Sequence, residues 1–199
     1  MLFSQCLGLF QSYRVTQNGG DFPVLEGRYK GFPVRLEPVP DTLAWRKLPS
    51  LWLKATLLTP NAVGGVLDFL VRPQGEFFSP ADELPHRLPV PVNWPQHALL
   101  CTDDIAAMPP METLKAHSAL FDDARLKELL ITPRGTRLVR QLWQAERAEY
   151  LVLRQAKFAD ACAEPAVVES LLESLIAISA CLNGGASPSS AQAACAQAA

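Results

Sequence analysis

Apolar and polar residues alternate most cleanly over residues 50–58, SLWLKATLL. Leu51, Leu53, Ala55 and Leu57 fall on one side, and Trp52, Lys54, Thr56 and Leu58 on the other. A period of two marks a half-buried strand. Residues 65–72, GVLDFLVR, repeat the pattern, with Leu67, Phe69 and Val71 opposite Val66, Asp68, Leu70 and Arg72. The TPNAVG between the two runs is turn chemistry and predicts a hairpin. A second hairpin is predicted from DFPVLEGRY and FPVRLEPV, which flank Gly27-Arg28-Tyr29-Lys30-Gly31. Two glycines four apart invite comparison with a phosphate loop. No Gly-Lys-Ser/Thr follows them, and a second strand-like run stands where a dinucleotide fingerprint needs a helix. Gly27 and Gly31 are therefore structural turn residues, Gly31 suiting a position with φ > 0.

The helical period of 3.6 is clearest in EPAVVESLLESLIAISACL. Pro165 fits the first helical position, and Val168, Leu171, Leu172, Leu175, Ile178 (or Ser179) and Leu182 form the apolar stripe. Asn183-Gly184-Gly185 ends it. A short amphipathic helix is predicted within residues 1–19, with Leu2, Phe3, Cys6, Leu9, Phe10 and Tyr13 on or near one face. Residues 109–121 and 122–130 read as a helical pair, the first opened by proline and the second by acids that suit the helix dipole. ALLCTDD (98–104) reads as a further strand running into a helix cap. TRLVRQLW and EYLVLRQAKF read as a last hairpin, although Leu138, Leu142 and Ala145 share a helical face and leave 136–144 open between strand and helix. Six prolines between 73 and 97 mark a loop, either a cover over the sheet edge or a functional segment. Residues 184–199 are a low-complexity Ala/Ser-rich tail, expected to be disordered. The expected fold is thus a single α+β domain over 20–183. Its curved, mainly antiparallel sheet has about six or seven strands. The C-terminal helix and the central helical pair pack on one face.

Composition narrows the function. The chain has 199 residues and a net charge of −2, so no global basic field invites nucleic acid. No apolar run reaches the ~18–20 residues of an integral membrane segment, and a cytoplasmic location is expected. The five cysteines are odd in number and lack C-x-x-C spacing, which points to free thiols rather than a zinc site. His86, His97 and His117, with Asp103, Asp104 and Glu112, show no metal-ligand spacing, so neither a metal nor a cofactor is expected. Asp103-Asp104 reads as a cap. No serine sits in G-x-S-x-G. His86, His97, Asp103 and Asp104 remain the one polar cluster an enzyme could use.

Charge is segregated despite the near-zero total. Residues 76–123 carry eight acids and two bases, residues 125–157 eight bases and three acids, and residues 28–54 six bases and two acids. Arg134, Arg137 and Arg140 stand three apart. They would form one ridge on a helix and divide between faces on a strand. With Arg28, Lys30 and Arg35 they make a candidate basic contact strip.

The order of these features carries a resemblance. GRYKGFPVRLEP is followed by two strands around LLTP, a proline-rich stretch, CTDDIAAMPPMETL, RLKELLITPRGTRLV, EYLVLRQAKF and a final helix. This resembles a broad group of bacterial proteins, a domain of unknown function in which a G-x-x-x-G-x-P-V hairpin opens an α+β domain. The resemblance spans roughly residues 20–182 and implies a fold without a reaction. The leading expectation is a non-enzymatic protein-interaction module with a protein partner or a second copy of itself. The alternatives are a small-molecule or lipid-surface binding domain with its pocket between sheet and helix, and an enzyme of unrecognised type.

Overall fold

The structure is a computed structural model that describes residues 2–41, 48–73, 79–145, 158 and 161–184. It is an α+β fold built on one curved open sheet. Nine strands are seen where six or seven were expected: β1 (Ser12–Thr16), β2 (Val24–Tyr29), β3 (Phe32–Asp41), β4 (Ser50–Leu57), β5 (Leu67–Leu70), β6 (His86–Leu88), β7 (Leu99–Thr102), β8 (Leu126–Thr132) and β9 (Gly135–Gln144). Their spatial order is β1-β2-β3-β4-β9-β8-β5-β7-β6, every neighbouring pair antiparallel. The α-helices among the described residues are α1 (Met111–Ala116) and α2 (Pro165–Leu182).

The hairpin at Gly27–Gly31 forms as read. Tyr29 pairs with Phe32 across a two-residue turn in which Lys30 has φ 48° and Gly31 φ 84°. Gly27 is needed for a different reason: a Cβ there would lie 2.7 Å from the Ser12 carbonyl oxygen of β1. β3 tolerates Pro38 and Pro40 because β2 stops pairing at Leu36, leaving the missing N–H groups on a free edge.

The second expected hairpin does not form. β4 pairs with β3 and β9, while β5 pairs with β8 and β7. The TPNAVG segment instead crosses the end of the sheet. The Asn61 amide donates to the Thr132 carbonyl and the Thr136 hydroxyl, and its oxygen accepts from Ser179 of α2. Asn183, just past α2, accepts from the Ala62 N–H and donates to the Pro60 carbonyl. These bonds pin the C-terminus of α2 to the β8–β9 hairpin.

The second member of the expected helical pair is β8, a strand covered on both faces. Such strands lack alternation and cannot be told from a buried helix by period. A bulge between Leu126 and Glu128 adds to the disguise, since Leu126 and Leu129, three apart, both reach the core beside Ile131. The first member shortens to α1 and a 3-10 turn over Ser118–Asp122. β9 is a strand, and its hairpin partner is β8 rather than EYLVLRQAKF; residues 149–157 of that run lie outside the described residues. The N-terminal helix is likewise replaced, by turns, a 3-10 turn at Leu7–Leu9, and β1. The apolar reading of the segment holds in part: Leu2, Phe3, Cys6 and Phe10 are buried in the core and Leu9 packs against it, whereas Tyr13 on β1 is exposed. The Gln11 N–H donates to the Arg28 carbonyl, which draws the chain into the sheet after only a few residues.

The main core lies between one sheet face and α2. Leu51, Leu53, Ala55 and Leu57 meet Val168, Leu171, Leu172, Leu175 and Ile178. α2 is also long and apolar enough by composition to cross a membrane, a property that core helices and membrane spans share. The described part of the proline-rich segment supplies the edge strand β6 and packs on both faces of the sheet beside it. Trp94 stacks with Phe69 and Phe121 at centroid distances of 5.0 and 4.7 Å on the core side. Ala81 packs with Leu70 and Cys101 on the other side. The Ala/Ser-rich tail from residue 185 onward lies outside the described residues.

Gly27→Ala should push β1 off the sheet edge, cost about 1–3 kcal/mol and speed amide exchange over residues 12–16. Gly31→Ala should cost about 1–2 kcal/mol and leave exchange in β1 unchanged. Urea denaturation with hydrogen exchange separates the two.

Candidate functional site

The six candidate basic residues do not form one strip. Arg28 donates to the Gly31 carbonyl and closes its own hairpin (2.9 Å). Lys30 reaches Glu173 of α2 at 2.6 Å, and the Tyr29 hydroxyl donates to the same carboxylate. Burial, then the hydrogen bond to Glu173, pushes the Tyr29 phenol well up. Arg35 lies between Glu26 (3.0 Å) and Glu37 (3.5 Å). Arg134 is exposed in the β8–β9 turn.

Arg137 and Arg140 take opposite faces of β9, as three-residue spacing on a strand requires. Arg137 makes a two-pronged pair with Glu128, at 3.1 and 3.0 Å, on the face away from α2. Glu128 is fully buried, and burial pushes its carboxyl up against the pull of Arg137. Lys54 is on this face too, its ammonium pKa lowered by burial. Lys127, 1% exposed, lies 5.5 Å over the Trp52 ring. Asp68, also buried, accepts from the Ser79 hydroxyl at 2.5 Å. The charges of this face are thus engaged inside the protein.

The polar cluster fares no better. His86 is on the exposed edge strand β6, paired with Thr102. Asp103 accepts from the Val66 N–H and Asp104 from the Ala106 N–H, so they cap turns and not α1, whose preceding Pro110 provides no side-chain cap. His97 lies before β7 and the two aspartates after it, with a four-residue strand of about 13 Å between them. Among the described residues no group of three His, Cys, Asp or Glu could hold a metal ion.

What the arginines do line is a cavity at the other end of β9. A hollow of about 390 Å³ lies between the end of β9, the segment before β8 and the start of α2. Arg125, Arg140, Trp143, Cys162, Glu164 and Val167 are on its walls. A second hollow of about 300 Å³ shares Arg140 and Val167 and continues along α2 past Leu171 and Ser174. Arg140 faces α2 because its strand partners are Leu53 and Leu126, both core residues. Its Nε donates to Asp123 at 2.6 Å. Partial burial alone would raise the Asp123 carboxyl. The Arg125 backbone N–H, the Arg140 hydrogen bond and both guanidinium charges outweigh it and hold the group below the usual range. The Arg125 side chain is exposed and makes no hydrogen bond or ion pair among the described residues. Trp143, 39% exposed, offers an aromatic surface. α2 opens here with no side-chain cap, so the positive end of its dipole meets the hollow.

Arg140 is visible in the sequence through its three-residue spacing from Arg137, but that spacing on a strand puts the two on opposite faces. Arg125 carries no such signal, because the run DDARLKELL around it reads as a helix. No protein-family model, curated protein or solved structure matches the chain, and its function is read from this geometry alone.

Arg137→Ala should cost roughly 3 kcal/mol in urea denaturation, because it removes the two-pronged partner of a buried carboxylate. Arg134→Ala should stay within about 0.5 kcal/mol.

Proposed function

We propose that this chain is a small-molecule binding domain whose ligand is a singly charged carboxylate with an apolar body. The observation that carries this is the hollow between sheet and helix, with Trp143 and an Arg125 side chain that makes no hydrogen bond or ion pair among the described residues on its walls. Its volume is in the range of small-ligand pockets. Two guanidiniums stand against two carboxylates, Asp123 and Glu164, which favours a monoanion over a polyanion. In this reading Arg125 takes the carboxylate and α2's dipole assists it. Trp143, Leu142 and Val167 take the apolar part. A protein-docking role is the weaker reading, since Lys30, Arg35, Arg137 and Arg140 of the basic strip are each held by a carboxylate of the same chain.

The test is an NMR titration with a panel of aliphatic and aromatic monocarboxylates and sulfonates. Amide shifts should move in residues 140–144 and 164–168. Arg125→Ala should weaken binding about tenfold or more, the worth of a charge-assisted hydrogen bond, and leave the fold intact. No shift with any compound at millimolar concentration would remove the proposal.

Asp123 competes with the ligand for Arg140, and this sets a pH dependence. Its folded carboxyl titrates below its ordinary value, so the Arg140 pair contributes stability at neutral pH and loses it as pH falls through the depressed value. A sulfonate stays ionised over that window and should bind more tightly as Asp123 protonates. Asp123→Asn should bring the tighter binding to pH 7.

A further inference from the structure

Two cysteines far apart in sequence meet at one carbonyl. The buried Cys6 thiol donates to the Ala163 oxygen at 3.1 Å, and the Cys162 thiol approaches the same oxygen at 3.8 Å. The two sulfurs are therefore no more than about 7 Å apart, against the ~2 Å of a disulfide bond. The Ala163 N–H in turn donates to the Leu2 carbonyl at 2.9 Å, so the N-terminal turns and the approach to α2 are strapped together at this point. The two thiols differ in access. Cys6 has no exposed surface, whereas Cys162 is half-buried and lines the 390 Å³ hollow.

We propose that Cys162 and Cys6 form a thiol-modification site for a low-molecular-weight disulfide, with Cys162 the entry thiol and Cys6 the resolving thiol. In the first step the Cys162 thiolate, its proton lost to solvent, attacks one sulfur of the small disulfide. A Cys162 mixed disulfide forms, and the leaving thiolate takes up a proton as one free thiol. In the second step the Cys6 sulfur attacks the Cys162 sulfur of the mixed disulfide and gives up its proton. The protein disulfide forms and the second small thiol leaves protonated. The protein dithiol is oxidised by two electrons and one small disulfide is reduced to two thiols. Burial, and then the nearby Cys162, push the Cys6 thiol up to about 11, so it stays neutral at pH 7 and the order of attack is set by Cys162. The site stands on the sulfur geometry and does not need the carboxylate reading of the hollow.

The test uses the chain with Cys181→Ser and Cys195→Ser, which removes the exposed thiol and the one in the tail. It is treated at neutral pH with oxidised glutathione, which bears carboxylates, or with hydroxyethyl disulfide, which is uncharged. Alkylation, intact mass and non-reducing peptide mapping follow. Both reagents should give a linked Cys6–Cys162 peptide and a loss of two hydrogens, reversed by dithiothreitol. Cys162 should react at least about tenfold faster than buried Cys101. Cys6→Ala in the same background should stop at the Cys162 mixed disulfide. The parent chain decides the matter by itself if that variant fails to fold. A Cys162 mixed disulfide that persists with Cys6 present would overturn the proposal. So would an unreactive Cys162, or a link formed only as Cys101 is labelled. Reaction with glutathione alone would also overturn it and would support the carboxylate reading instead.

Discussion

The fold depends on β9 having two partners. It must pair with β8, two residues before it, and with β4, which precedes it by roughly eighty residues. Until both ladders form, the helix-facing sides of β3–β4 and of β8–β5 are separate apolar surfaces that neither half can cover. Once they join, α2 has one continuous face on which to bury Leu172 and Leu175. The pairing with β4 is a non-local contact whose loop-closure entropy precedes its reward.

The same strand sets the chemistry. Successive side chains of a strand alternate, so β9 sends Arg137 to a buried carboxylate on one face and Arg140 toward α2 on the other. The helix is secured differently at its two ends. At its C-terminus Asn61, Ser179 and Asn183 bond it directly to the β8–β9 hairpin and the crossing loop. At its N-terminus it is held through Ala163 and the N-terminal turns, off to one side of β9. The wedge between β9 and the start of α2 is the hollow, and polar side chains such as Arg140 join Leu142, Trp143 and Val167 on its border because β9 is there running out of core to face.

Several helical readings fail for a shared reason. Leu126 and Leu129 have helical spacing, but a bulge produces it on a strand. Leu138 and Leu142, four apart, share a face on a strand as readily as on a helix, and Leu142 is the extra residue at the irregularity of the β4–β9 ladder. The predicted hairpin at TPNAVG fails because turn residues specify a change of direction and not a destination. Asn61 serves there as a buried hydrogen-bond hub rather than as a hairpin turn. The arginine strip fails because proximity in sequence says nothing of which carboxylate lies across the sheet.

The residues by themselves determine the α+β class, the β2–β3 hairpin with its positive-φ Gly31, the extent and buried stripe of α2, and the alternation of β4. Each follows from local sterics or a simple period. Tertiary structure alone decides that β8 is a strand and that β4 and β5 part company. It also decides that Arg125 and Arg140 share a wall and that Cys6 meets Cys162. Those outcomes are fixed by contacts across some ten to 157 residues of chain, where pairing and burial outweigh the local preferences that a sequence displays.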